Sequence, residues 1–189
     1  MPFADEFFSD RVVVKPYQAR WAREGLELVN RLRQLVPAAV AIDHIGSTAV
    51  PGLPAKDCLD AMIRVADVHK FDSRALTLQG FHLRPEPWNC VEGVDGTECP
   101  KRVFAPPPGG RSVNIHIRPI GSPTARYALL FRDFLRVDPA NRRTWGAFKT
   151  RLAESPANDP TGYGQVKSSV QPLLMAGAES WATSADWTP

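Results

Sequence analysis

Residues 44–60 read His44-Ile-Gly-Ser-Thr-Ala-Val-Pro-Gly-Leu-Pro-Ala-Lys-Asp-Cys-Leu-Asp60. The apolar run before Gly46, residues 39–45, predicts a strand. Gly46, Pro51, Gly52 and Pro54 make residues 46–56 a loop or broken turn. Residues 58–65 read as the next strand, with Leu59, Ala61, Ile63 and Val65 on one face and Cys58, Asp60, Met62 and Arg64 on the other. A glycine at a strand exit lets backbone N–H groups approach a phosphate, and the Ser47 hydroxyl adds a donor. Many strand ends carry Gly-Ser for turn reasons, so this pair does not by itself name a ligand. Asp60 adds weight, because it stands thirteen residues after Ser47 inside a strand whose other face is apolar. An acid there needs a partner or solvent, since burying a bare carboxylate is costly.

Working outward, Val12-Val13-Val14 reads as a short edge strand closed by Pro16. Between residues 17 and 36, Trp21, Leu28, Val29, Leu32, Leu35 and Val36 recur at helical spacing, and Pro37 ends that helix. Residues 67–79 predict a helix with Asp67 as N-cap and Gly80 as its stop. Residues 81–83 start a strand before a long loop marked by prolines and glycines. Residues 101–105 and 112–118 read as a hairpin, in which Val113, Ile115 and Ile117 alternate with Ser112, Asn114, His116 and Arg118. Ser122-Pro123 and Asp138-Pro139 each pair a cap with a first-turn proline, opening helices to about residues 136 and 152. A last helix is expected over residues 164–181, with Pro172 as an internal defect. The order gives an α/β (or α+β) layer structure, read as one unit over residues 1–189.

Composition sets outer bounds. The chain has 189 residues, 43% of them hydrophobic and 23% charged, near the averages of soluble globular proteins. It shows no apolar run of about 18 residues, so no membrane span is expected. The start, Met-Pro-Phe-Ala-Asp-Glu-Phe-Phe, is acidic where a secretory signal is basic, which points to the cytoplasm. Three cysteines, Cys58, Cys90 and Cys99, make an odd number and fit reduced thiols. Cys90 and Cys99 are too far apart for the usual zinc spacing. A net charge of +3, scattered among acids, marks no dedicated nucleic-acid binder and suits one small anionic ligand. Tryptophans 88, 145, 181 and 187 form no regular stacking array.

A glycine-serine loop followed by a strand acid is the layout of polymerase-beta-like nucleotidyltransferases, where a carboxylate holds a metal against nucleotide phosphates. The run HIGSTAVPGLPAK (residues 44–56) with Asp60 resembles the GrpB family, a branch of that fold. Similar to the same family are VVKPYQARW (residues 13–21), Asn114-Ile115-His116, LFRDFLR (residues 130–136) and YGQVK (residues 163–167). The resemblance implies a nucleotidyltransferase-like α/β/α fold with a small mixed sheet and C-terminal helices.

Activity is a separate question. The usual acid pair sits at i and i+2 on one strand face, whereas Cys58 and Met62 flank Asp60 at those positions. Asp57, three residues away, falls on the opposite face of a continuous strand. By resemblance, His116 sits on a strand beside that of Asp60, so Asp60 and His116 form the candidate catalytic and metal-ligating pair. A divalent metal (magnesium, manganese or zinc) would bind there. One carboxylate with histidine suits zinc, manganese or iron better than magnesium, which prefers oxygen. The family's second histidine is replaced by Asn114, and the alternative for each histidine is a hydrogen-bonded structural imidazole. His44, Gly46, Ser47, Thr48, Lys56, Arg102 and Arg118 are the candidate ligand-binding residues, with Arg111 beside them; the alternative for the arginines is ordinary surface placement. Arg132 and Asp133 read as a structural ion pair. Tyr163 and Lys167, four apart, share a helix face that either approaches the cleft or packs in the core.

Three functions follow. One is metal-assisted nucleotidyl transfer on a small molecule, with Ser47 on the phosphates, Asp60 on the metal and His116 as ligand or base. Another is a catalytically degenerate module that binds a nucleotide, a coenzyme-A precursor or another phosphorylated small molecule. The third is an accessory protein, because domains similar to this one are joined to a dephospho-coenzyme-A kinase in some proteins. The chain has no P-loop of its own. The oligomeric state is not assigned by the sequence.

Overall fold

The computed structural model describes residues 11–94, 96–157 and 159–189. Helix α1, Arg20–Leu35, buries Trp21, Gly25, Val29 and Leu32, the stripe its apolar spacing predicts. Strands β1 (Ala41–Ile45) and β2 (Leu59–Val65) pair antiparallel around the Gly46–Lys56 loop. A five-residue helix α2, Arg74–Leu78, and a two-residue strand β3, His82–Leu83, follow. Strands β4 (Val91–Val94) and β5 (Thr97–Pro100) form a separate hairpin. Strands β6 (Arg102–Ala105) and β7 (Val113–Pro119) complete a sheet of order β1-β2-β7-β6-β3. In this sheet β2 and β7 pair in parallel and the other three described pairings are antiparallel, so the sheet is mixed. Helices α3 (Pro123–Val137), α4 (Pro139–Glu154) and α5 (Pro160–Ser184) close the chain.

The alternation read from β2 decides the layers. Leu59, Ala61 and Ile63, with Ile115 and Ile117 of β7, pack against Trp21, Val29 and Leu32 of α1. Met62 and Ile45 emerge on the other face against Ala125 and Leu129 of α3. Beyond them α3, α4 and α5 share Leu130, Phe134, Trp145, Met175 and Ala178, with Val50 and Leu53 from the loop after β1. The sheet thus lies between two helical layers. No helix among the described residues is long and apolar enough to cross a membrane.

Four local expectations change. Val12–Val14 form no strand; the nearest pairing is one bridge between Lys15 and Ala55. The helix expected over residues 67–79 shrinks to Arg74–Leu78, because Asp67 and Asp72 accept from the backbone N–H groups of His69 and Arg74 and so favour turns. The segment read as a long loop contains the β4–β5 hairpin. Helix α5 starts at Pro160, four residues early, capped by Asp159 accepting from Thr161 N and Gly162 N. Asp159-Pro160 is the same signal as the two before it, obscured by Gly162 and Gly164 in the first turns. Pro172 lies inside α5 without ending it. The acidic start of the chain, residues 1–10, lies outside the described residues.

Candidate functional site

The turn after β1 places Gly46 and Ser47 at the edge of a cleft between the sheet and the helices α3–α5. Gly46 has φ +70° and ψ −169°, backbone that a side chain rarely adopts. A Cβ there would stand 2.5 Å from Asp60 Oδ2, so the loop and the β2 acid touch only because residue 46 is glycine. Ser47 opens a single 3₁₀ turn, Ser47–Ala49.

Asp60 is half-buried on the cleft face of β2, opposite Asn114 of β7 in the parallel register. Its Oδ1 accepts from Asn114 Nδ2 at 3.2 Å and lies 3.5 Å from His116 Nε2. Burial pushes its pKa up, but the hydrogen bonds from His116 and Asn114 and the charge of Lys56 outweigh that and hold it below the ordinary carboxylate value. Burial lowers His116 below its usual value, leaving a neutral imidazole at pH 7.

The helical wall supplies the cations. Lys149 of α4 is 3% exposed and donates to Ser47 Oγ at 2.9 Å and to the Pro54 carbonyl at 2.5 Å. Burial, helped by the charge of Lys167, lowers its pKa to about 7. Lys167 of α5 lines the cleft and is also lowered, by burial and then by Lys56. The cleft has a volume of about 800 Å³ and its far wall is apolar, with Tyr127, Phe131, Trp145 and Met175. Two wall atoms, His116 Nδ1 and Trp145 Nε1, are buried without a hydrogen-bond partner.

Gly46, Ser47, Asp60, His116 and Arg118 line this cleft. Arg118 is already engaged: Nε and Nη2 donate to Glu92 Oε1 and Oε2 at 2.5 and 3.0 Å, and Lys101 joins Glu92 at 3.0 Å. Its charge is thus largely spent within the protein. Lys56 is exposed beside the cleft and acts on Asp60 and Lys167 only through its charge.

Four of the expected ligand-binding residues lie away from the cleft lining. His44 pairs with Ala61 while Ile45 pairs with Asp60, so His44 points to the α1 face. There it bonds Thr48 at 3.0 Å and packs so close to Gly25 that a Cβ on that glycine would lie 2.1 Å from its ring. Burial lowers its pKa to about 4, which makes it a neutral structural imidazole. Thr48, 2% exposed, is its partner and stands outside the cleft lining. Arg102 lies across from Ile117 on the α1 side, donating to the Phe71 carbonyl and stacking over Phe71 and Phe104. Arg111 likewise serves Asp57 and Glu24.

Asp57 faces away from Asp60 and is gripped by Lys15, Arg20, Trp21 and Arg111. Arg132 and Asp133 form an ion pair at 2.7 Å. Tyr163 is buried with Val12 and Leu152, and Lys167 lines the cleft. Lys149 went unread, although the stripe Trp145, Phe148, Lys149, Leu152 puts a lysine among core positions of α4. Glu92 was hidden in the hairpin read as loop.

The Glu92 network gives an acid-stability prediction. Burial raises the Glu92 pKa, but Arg118 and Lys101 outweigh that and bring it from 4.5 to about 2. A lowered folded-state pKa means stability present above pH 4.5 and lost as pH falls toward 2. Acid unfolding followed by circular dichroism should show Glu92→Gln less stable than wild type at pH 7, with the gap closing between pH 4.5 and 2. A constant gap would contradict the network.

A family model described as "GrpB protein" matches residues 11–175. The chain is 36% identical to "UPF0157 protein SCO7215" of Streptomyces coelicolor, over 82% of this chain and 77% of that one. It is 32% identical to a Mycolicibacterium paratuberculosis protein named "Dephospho-CoA kinase", over 100% of this chain and 52% of that one. The chain thus spans about half the length of that kinase. Among solved structures, conserved protein GrpB from Enterococcus faecalis superposes with a TM-score of 0.73 at 24% identity, over 89% of this chain and 99% of that one. Cid1 in complex with the UTP analog UMPNPP gives 0.52 at 17% identity, over 81% and 48%. Both likenesses carry the fold, which is nucleotidyltransferase-like. On the family model and the Streptomyces relative together, this chain belongs to the GrpB family.

Proposed function

We propose that the cleft binds a nucleotide or another phosphorylated small molecule through its phosphates. The observation that carries this is a cleft lined by Ser47 and Lys167 with an aromatic far wall, where the buried Lys149 stands behind Ser47 and donates to its hydroxyl. Of the three lining carboxylates, Glu92 is taken up by Arg118 and Lys101 and Glu179 by Arg126, which leaves Asp60 opposite the Lys167 ammonium. The cleft volume suits a nucleotide-sized ligand. The unpartnered His116 Nδ1 and Trp145 Nε1 supply a polar position and a donor in its wall, and native proteins rarely leave such atoms unmet. The reading is supported by Cid1, of like fold, in complex with a UTP analog, and by a relative named dephospho-CoA kinase, of which this chain matches about half.

Nucleotidyl transfer is the second reading, favoured by an ionised Asp60 beside Ser47. Its metal is the weak point. Asp60 and His116 are two donors, and among the described residues no three His, Cys, Asp or Glu side chains gather. That set does not fit a magnesium, manganese or zinc ion held by protein alone.

The test is calorimetry with inorganic pyrophosphate, ATP and dephospho-coenzyme A, comparing wild type with Lys167→Met. Loss of one charged contact should weaken binding roughly tenfold or more, as charge-assisted hydrogen bonds contribute about 1.5–3 kcal/mol. If wild type binds none of the three ligands, the proposal fails. Turnover of ATP with manganese, equal in wild type and Asp60→Ala, would remove the transfer reading alone.

A further inference from the structure

Lys149 is the buried cation that the phosphate reading does not fully use. It comes from α4, 102 residues after Ser47, yet its Nζ bridges Ser47 Oγ and the Pro54 carbonyl. An ammonium has three donors and no acceptor. Ser47 Oγ must therefore accept from it, and the one hydroxyl proton of Ser47 is left to donate elsewhere. Ser47 borders the cleft, so a ligand oxyanion is the partner that proton can meet. The second bond, to Pro54, ties the same ammonium to the far end of the loop and holds the loop's two ends in register.

We propose that Lys149 is the positioning residue of the cleft: its ammonium turns the Ser47 hydroxyl proton toward the bound oxyanion, and the oxyanion in turn keeps Lys149 protonated. This rests on the phosphate-binding reading above and adds a regulation to it, because ligand binding becomes coupled to proton uptake. Deprotonated, Lys149 offers a lone pair to Ser47, whose proton can then turn back to the amine and leave the cleft one donor short.

The groups acting on Lys149 come from every side of it. Ser47 and Pro54 belong to the loop, Asp60 to β2 and Lys167 to α5, with Lys56 acting on Lys167. Burial and Lys167 push the Lys149 pKa down to about 7 and Asp60 pulls it up. A bound oxyanion pulls it up further. Binding is therefore fully supported below pH 7 and weakens as pH rises through the free-protein value. His44, at about 4, titrates under that window, and burial lowers His116 from its usual value. Lys167 lines the same cleft and is also lowered by burial and by Lys56, so it serves as the comparison.

The experiment is calorimetry of pyrophosphate and ATP between pH 6 and 8.5, in two buffers of unlike ionisation enthalpy. Wild type should take up a proton on binding, with affinity falling toward about tenfold per pH unit above pH 7. Ser47→Ala and Lys149→Met should each weaken binding at pH 6.5, and the double variant should be no weaker than either. Lys149→Met should also flatten the pH profile, whereas Lys167→Met should weaken binding and keep the slope. Lys149→Arg, which stays protonated, should restore binding with a flat profile. Should Lys149→Met fail to fold, proton uptake by wild type and by Lys167→Met decides the matter. Binding by wild type without proton uptake, or a slope lost in Lys167→Met, overturns this proposal and leaves the phosphate reading standing. Failure of wild type to bind either probe overturns both.

Discussion

Gly46→Ala is expected to abolish pyrophosphate binding and to destabilise the fold at the same time. The φ of +70° with ψ near −169° is a region held almost only by glycine, and a strained residue there costs roughly 1–3 kcal/mol. The new Cβ must also displace Asp60, whose Oδ2 would be 2.5 Å away. Overpacking of that kind adds about 1–3 kcal/mol, for a total near 4 kcal/mol. For a chain of this size the melting temperature should fall by about 8–16 °C. The two contributions can be separated. Adding Asp60→Gly relieves the contact but leaves the backbone strain, so the double variant should recover about half of the lost stability and none of the binding. A Gly46→Ala protein that melts with wild type would contradict the described turn.

Trp21→Ala should produce a loss of similar size from the opposite face. Trp21 is fully buried in the α1–sheet core, edge-on to Tyr17, with its Nε1 donating to Asp57 Oδ1 at 2.8 Å. Removing a buried tryptophan costs about 3–5 kcal/mol. Here Asp57 also loses one of four donors. Trp21→Phe keeps much of the packing and removes only that bond, so it should cost about 1.5–3 kcal/mol. Thermal melts rank the two variants. Pyrophosphate affinity at 25 °C should be unchanged in Trp21→Phe, because the Asp57 network faces away from the cleft. An affinity change there would mean that the two faces of β2 are coupled.

What could be read from the sequence was what strand and helix periodicity control. The alternation of β2 put Asp60 and Asp57 on opposite faces, and the structure shows Asp57 held by Lys15, Arg20, Trp21 and Arg111 on the far side. The Ser122-Pro123 and Asp138-Pro139 caps marked α3 and α4. His44 was misread because its face depends on register with β2, and register comes from strand pairing, not from one strand's pattern. Arg118 was legible as a cleft arginine but not as a neutralised one, since Glu92 reaches it from a hairpin with no clear alternation. Arg102 lost its place to the pleat of a four-residue strand. Lys149 was the largest omission. Its bond to Ser47 spans 102 residues and exists only once α4 packs on the loop. The one local hint was a lysine sitting where a core residue is expected.

The parallel pairing of β2 with β7 also bears on how the protein is made. Asp60 and Asn114 are 54 residues apart, and the partner of the β2 edge is synthesised after α2 and the β4–β5 hairpin. At about 5–20 residues per second, that edge waits on the ribosome for roughly 3–10 s before β7 exists. During that delay β1 and β2 present an apolar face with one unpaired side, the state most open to pairing with another nascent chain. The cleft itself is completed only when α5 emerges and packs, since Lys167, Gln171 and Met175 of that helix line it.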